Sequence, residues 1–397
     1  MDLQDSLFAA ADSGSYPSHV LSWGLGADST AILLRWLHEP ASRDFALDDL
    51  LVITAHTGDE YPSTLRDSEE VVLPALRAHG VRLVQVGRNR RNTTAAGDGI
   101  TVFSDTSAPE RLYANDGYAL SDEHLGSATL PQLASRRCSA RAKGAALDPV
   151  IARLTAGLPY RHYLGFETGE IRRAQRDSAY NTAVRQGVYP LLVWDWSRTD
   201  VLSYLRSVTG REWQKSACYQ CPFQFSSKAG FAAAMERYRR EPESGARALY
   251  LEAVSVCFNP KQGLLSAGRL IDAVRAAELT EVLQLFETRI AANEHGLYEV
   301  RRVAQARSGG TPLIARCVRQ LGRGSATDLG AALLQQAGDI VTGADGITRV
   351  IRRHRGTEVP WAEHFYVVAP SSAVADKARA GFEAMFASVT RPDLTLI

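Results

Sequence analysis

The chain has 397 residues, 45 % hydrophobic and 22 % charged. This is the mixture of a folded globular protein of roughly two to three compact units, and it excludes a disordered, collagenous or disulfide-built chain. The net charge of +1 hides a skew, since only five of the 45 basic residues are Lys; Arg suits phosphate and carboxylate, but enrichment along the whole chain is more simply compositional bias.

His19–Trp23 (HVLSW) reads as a short strand, GLGAD as a loop, and STAILLRWLH as a helix with Ile32, Leu33, Trp36 and Leu37 at helical spacing. The unit repeats with a strand at 50–55 (LLVITA), a loop HTGDE, a helix from Pro62 to His79 and a strand at 81–87 (VRLVQVG). Strands alternating with helices predict an α/β fold with a doubly wound parallel sheet. From Arg88 to Pro131 the pattern gives way to a Gly-, Asp-, Ser- and Thr-rich stretch, expected to be a long excursion over the open end of the sheet. The α/β pattern resumes with a helix near 140–155, a strand at 160–166 and a strand near 188–193. Ser197 and Asp200 then resemble a capping box opening TDVLSYLRSV. Beyond about residue 265 amphipathic segments predict a mainly helical C-terminal domain of unassigned role, with a β-like stretch HFYVVAP near its end. The expected domains are therefore 1–264 and 265–397.

Five cysteines, Cys138, Cys218, Cys221, Cys257 and Cys317, are too few for a disulfide scaffold and odd in number. Metal or redox chemistry in a reducing compartment fits them better. The start, MDLQDSLFAAADSG, lacks the basic stretch and apolar core of an export signal, and no apolar run reaches the roughly 18 residues of a membrane span. The expectation is a cytoplasmic protein without a membrane partner; the oligomeric state is left open.

The densest motif is SWGLGADST, Ser22 to Thr30, between a strand and a helix. Gly24 and Gly26 let backbone approach a ligand, the following helix start offers amides, and Ser22, Ser29 and Thr30 add hydroxyls. Together they make an anion cradle at the carboxyl end of a parallel strand, where open α/β sheets bind ligands. The Walker pattern with its Lys is absent.

This run resembles the SxGGxDS signature of the PP-loop ATP pyrophosphatases and, more narrowly, of the phosphoadenosine phosphosulfate (PAPS) reductase-like branch. HTGDEYPST (56–64), RRCSARAKGAALDPVI (136–151), GFETGEIRRA (165–174), and YPLLVWDWSRTDVLSYL followed by CYQCPF are similar to further segments of that branch, in the same order over about residues 18–260. Leu25 stands where the family usually has Gly, Ala27 where many members have Lys, and Glu167 where many have Arg. The resemblance implies a HUP-like, adenine nucleotide alpha hydrolase-like sheet. It implies that Ser22, Gly24, Gly26, Asp28, Ser29 and Thr30 hold nucleotide phosphates, with Asp28 either capping the helix or helping to hold Mg²⁺. His56, Thr57 and Gly58 would lie beside adenine and ribose, with a loop capped by Thr57 or Asp59 as the plain alternative. Gly165 and Arg172 complete the nucleotide contacts, Arg172 and Arg173 could clamp an anionic tail, and Lys143 could reach the phosphates. Asp28, Ser29, Lys143 and Arg173 are the catalytic candidates.

Cys218-x-x-Cys221 is a tight chelating turn. Cys138, beside Arg136 and Arg137, lies in the segment where related iron–sulfur reductases carry ligand cysteines, and Cys257 could be a fourth ligand of a [4Fe-4S] cluster. Zinc or a redox dithiol remains an alternative on the same spacing. Cys257 and Cys317 read equally as buried packing, Cys317 on a predicted helix. The leading expectation is an enzyme cleaving ATP to AMP and pyrophosphate to activate an acceptor, with a sulfur donor protein and a nucleic-acid acceptor as partners. One alternative is a thiol-dependent sulfonucleotide reductase, disfavoured because no cysteine occupies the tail. The other is a non-catalytic nucleic-acid-binding subunit using the Arg clusters at 88–91, 237–240 and 352–355.

Overall fold

The computed structural model describes residues 16–133, 138–307 and 309–390. Two compact units emerge, Met1–Leu120 with Ala134–Tyr219, and Ser121–Leu133 with Gln220–Ile397. The division expected near residue 264 falls inside the second unit, which also takes in the helices Lys228–Arg240 and Pro242–Phe258.

The first unit holds β1 (His19–Ser22), β2 (Leu50–His56), β3 (Arg82–Arg88), β4 (Ile100–Thr106), β5 (Tyr160–Tyr163) and β6 (Arg185–Val188), in the order β4-β3-β2-β1-β5-β6. Five strands run parallel, and β4 joins the edge antiparallel to β3. The sheet is therefore mixed. Both faces are apolar because consecutive residues point to opposite sides. Leu21, Leu50, Val52 and Leu83 meet the helices Ala27–His38 and Arg198–Thr209, while Val20, Leu51, Ile53 and Val84 meet Ala145–Leu154. Each such side chain contributes roughly 1.5–3 kcal/mol by leaving water. The chain steps outward from β1 through β2 and β3, then returns to place β5 on the other side of β1.

Three local expectations need correction. The stretch 88–131 is not one long excursion, for it contains β4 and the helix Leu120–Ser127. Strand β6 ends at Val188, and Pro190, which cannot donate to a ladder, instead starts the helical turn Pro190–Val193. The helix from Pro62 is interrupted by a π-helical turn at Ser68–Val72 before it resumes at Leu73–Ala78. The Ser197–Asp200 capping box is present, with Asp200 Oδ2 accepting from Ser197 N at 2.8 Å and Ser197 Oγ accepting from Asp200 N at 3.4 Å.

The segment beyond residue 265 is not mainly helical. After the helices Leu270–Ala276 and Thr280–Ala292 come β7 (His295–Gln305), β8 (Leu313–Gly324), β9 (Asp339–Thr342), β10 (Thr348–Arg353) and β11 (Trp361–Ala369). They form an antiparallel sheet in the order β8-β7-β11-β10-β9. Cys317 is buried as expected, but in β8 rather than in a helix. The sheet carries ion pairs on its faces: His364 Nε2 lies 2.9 Å from Glu299, Arg302 3.1 Å from Glu363, and Arg349 2.9 Å from Asp345. Among the described residues no helix is long and apolar enough to cross a membrane.

Candidate active site

The loop after β1 is fastened from within. Trp23 N still pairs with Ile53 O of β2 at 2.8 Å, and the chain then turns through Leu25 at φ +59° into Gly26, which begins the helix Ala27–His38. Leu25, in the place where the resemblance expects Gly, adopts a left-handed conformation that a branched side chain disfavours. Its side chain is 2 % exposed, packed in the core beneath the loop. Ser29 Oγ accepts from Gly24 N at 3.1 Å, and Thr30 Oγ1 accepts from the Trp23 indole at 3.0 Å. Thr30 is fully buried. These two hydroxyls brace the loop itself. Gly24 faces open space, whereas a side chain at Gly26 would collide with Ser216.

Asp28 stands in the first turn of the helix but caps nothing; the capping position belongs to Gly26. Its carboxylate accepts from Arg198 Nη1 at 2.7 Å. Burial pushes its pKa up to about 6; Arg198 opposes the shift, and Glu170 and Glu167 reinforce it. Gly165, following β5, presses on this helix start, so that a Cβ there would lie 2.8 Å from Asp28 Cβ and from Ser29 N. The loops after β1 and β5 are therefore in direct contact. Glu170 pairs with Arg173, and its Oε2 is buried without a partner. Arg173 also stacks on the Phe166 ring at 4.6 Å, while Arg172 is exposed. Gly169, Glu170, Arg172 and Arg173 line an open cleft of about 600 Å³.

Two residues absent from the sequence expectations sit beneath Ser22. His162 Nε2 lies 2.7 Å from Ser22 Oγ, and Arg185 Nε donates to His162 Nδ1 at 2.9 Å. Burial, with the Arg185 charge, lowers the His162 pKa to about 4. Nothing in YRHY or RQGV marked these residues. The β5–β6 register, pairing Tyr160 with Arg185 and His162 with Gly187, brings them together.

At the end of β2, His56 Nε2 bonds Gln85 Oε1 at 2.9 Å, and its buried Nδ1 has no partner. Because the Gln85 amide donates to Arg111 O, its oxygen faces His56, and the imidazole carries its proton on Nε2. Nδ1 is left as an acceptor. Burial lowers the pKa of His56, with Glu60 opposing the shift and Lys143 adding to it. Thr57 N and Oγ1 both donate to Glu60 Oε1, at 2.8 and 2.7 Å, and Gly58 at φ +78° passes too close to Ala119 for any side chain. No side chain caps the helix that follows, so neither Thr57 nor Asp59 serves as its cap. Lys143, half-buried in the π-helical turn Ser139–Gly144, packs with that turn against β2 and β3. Its charge acts on His56 and Cys218, which puts it with the β2 group.

Cys218 belongs to the first unit, with its Sγ 3.2 Å from Thr57 Oγ1. Burial, reinforced by Asp59 and Glu60, holds its thiol well above the usual range. Cys138, also in the first unit, is half-buried, and Arg136 and Arg137 lie outside the described residues. Cys221 and Cys257 belong to the second unit, where the Cys257 thiol donates to Ala253 O at 3.3 Å inside its own helix. Among the described residues, no three His, Cys, Asp or Glu side chains gather to hold a metal ion. Of the Arg clusters, Arg88 is buried beside Tyr118, Arg237 pairs with Glu241, Arg239 and Arg240 pair with Glu236, and Arg355 stacks on Trp361.

Compared with known protein families, curated proteins and solved structures, the chain shows no significant match.

Proposed function

We propose that the first unit is a HUP-like, PP-loop nucleotide-binding unit of the PAPS reductase-like kind, and that it cleaves ATP to AMP and pyrophosphate to activate an acceptor. Sulfur transfer or nucleic-acid modification is the proposed use of the adenylate. The observation that carries this reading is topological. The loops after β1 and β5 leave neighbouring parallel strands at the point where the chain reverses its direction across the sheet, the place where open α/β sheets take ligands. They bring together Ser22, the open face of Gly24, the helix start at Gly26 and the carboxylates of Asp28 and Glu170.

In this reading the amides of the loop and helix start receive phosphate oxygens, and the acceptor Nδ1 of His56 suits the exocyclic amine of adenine. Mg²⁺ takes one or two carboxylates and completes its shell with phosphates and water. Asp28 and the unpartnered Oε2 of Glu170 fit that need, and the ion would neutralise charge on the departing pyrophosphate. Arg198 holds Asp28 in place. Catalysis would come mainly from positioning and electrostatic stabilisation. A [4Fe-4S] cluster, with Cys218 and Cys221 as ligands beside Cys138 and Cys257, rests on the spacing of the first two and on the resemblance around Cys138.

Anaerobically purified protein should release pyrophosphate from ATP, and Asp28→Ala should lower that rate by about 100-fold or more, as loss of a charged group at such a centre does. Thiol-dependent sulfite release from PAPS, without pyrophosphate release from ATP, would overturn the reading. Iron content and broad visible absorption of the same sample test the cluster; a colourless, iron-free protein removes it.

A further inference from the structure

Ser22 closes β1, and its hydroxyl is committed on one side. Arginine only donates hydrogen bonds, so the contact from Arg185 Nε to His162 Nδ1 at 2.9 Å requires an unprotonated Nδ1. The neutral ring therefore carries its proton on Nε2, 2.7 Å from Ser22 Oγ, and the hydroxyl accepts there. The reverse polarity, with Ser22 donating to Nε2, would set the Nδ1 proton against the Arg185 N–H. Arg185 is held in turn by Asp177 Oδ2 at 2.7 Å and Asn181 Oδ1 at 3.2 Å, and Tyr189 OH donates to the same Asp177 oxygen at 2.9 Å. Gly187 makes room for this network, since a Cβ there would lie 2.8 Å from Tyr189 OH and 3.0 Å from Asp177 Oδ2. His162 is 7 % exposed, so the ring lies largely out of bulk solvent. Among the described residues no group accepts the remaining Ser22 proton.

We infer that His162 is a positioning residue that turns the Ser22 proton away from the ring and leaves it for a ligand, so that the end of β1 favours an oxyanion, a fully ionised phosphate or pyrophosphate oxygen. This deepens the nucleotide reading and rests on it. A serine without this contact could turn its proton towards the ring or elsewhere, whereas Ser22 accepts from His162 Nε2–H and keeps its proton for the ligand. The chain Tyr189–Asp177–Arg185–His162 removes that freedom from a distance, without touching the ligand.

A double-mutant cycle on the full-length protein tests this, with inorganic pyrophosphate affinity by calorimetry and the KM and kcat for ATP as readouts. Ser22→Ala should weaken pyrophosphate binding by about ten- to a hundredfold, the effect of losing one charge-assisted hydrogen bond, and His162→Leu by a smaller factor of about three- to tenfold, since the released hydroxyl can still donate. The double variant should be no weaker than Ser22→Ala alone. His162→Gln, whose amide can both accept from Arg185 and donate to Ser22, should recover most of the affinity. Losses that add in the double variant, or unchanged affinity in His162→Leu, would overturn the inference. If His162→Leu does not fold, Arg185→Gln, which frees the ring to change tautomer, should raise KM with little change in kcat; an unchanged KM counts against the inference. Wild-type protein that binds neither pyrophosphate nor ATP sinks the nucleotide reading itself. Wild-type binding combined with additive variants sinks only the role of His162.

Discussion

The two sheets spend their polar residues in opposite ways. In the parallel part of the first, strands such as β2 bury every residue, and ionisable or hydroxyl groups stand where the strands end: Ser22 at the end of β1, His56 at the end of β2 with Glu60 beyond it, and Glu167 and Glu170 beyond β5. Several of their atoms have no partner among the described residues, including His56 Nδ1, Glu60 Oε2 and Glu170 Oε2. In the second sheet, charged strand residues meet counter-charges, as in Arg302 with Glu363, Arg349 with Asp345 of the turn before β10, and Glu299 between His364 and Arg319. A buried charge that is paired contributes to packing, whereas a buried polar atom without a protein partner calls for one from water, an ion or a ligand.

This contrast is breakable. Its severest test is Asp345→Asn, which leaves Arg349 buried without its carboxylate, both side chains now being 8 % exposed. Urea denaturation should show a loss of about 3–5 kcal/mol, with pyrophosphate release by the folded fraction unchanged. A variant of native stability and reduced turnover would place function in the second sheet and dissolve the distinction.

A smaller effect is expected at Asp28, whose pKa of about 6 exceeds its ordinary 3.8. Below pH 4 the folded and unfolded chains both hold this proton, and between 4 and 6 the folded chain alone holds it. Stability contributed in this way is lost as pH rises through 6, by up to about 3 kcal/mol. Asp28→Asn should flatten that part of the stability–pH curve; a slope unchanged from wild type would mean that the carboxylate is not held in a desolvated site.

The mildest perturbation is Ser197→Ala, which removes the cap of the helix Arg198–Thr209 and should cost about 1 kcal/mol. Since Ser197 is exposed-side scaffolding and not part of a strand end, KM for ATP should stay within about twofold. A larger kinetic effect would mean that Arg198, the next residue, transmits the cap to Asp28.

The same contrast explains what could be read in advance. LLVITA and VRLVQVG are short apolar runs bounded by turns, and they became β2 and β3. Ser197 and Asp200 carried a local signal that survived folding, because a capping box needs only its own turn. By contrast, LIARCVRQLGRG in β8 mixes charges among apolar residues, which blurs the period of two and imitates a helix. Its arginines are accommodated by partners far along the chain, Arg319 by Glu299 and Arg316 by the carbonyls of Ser127 and Ala128. β4 is a half-exposed edge strand with little apolar pattern, which makes its sequence look like loop. In the site, the loop glycines and Asp28 were visible as a motif, whereas His162 and Arg185 gain meaning only through strand register.

The left-handed Leu25 carries a thermodynamic consequence. A glycine in its place would let the loop sample many shapes, and a ligand would have to select one of them at the moment of binding. With its side chain anchored in the core, the loop has already lost that freedom when the chain folds. Association at this loop should therefore carry little ordering entropy, and replacing Leu25 with glycine should add to it.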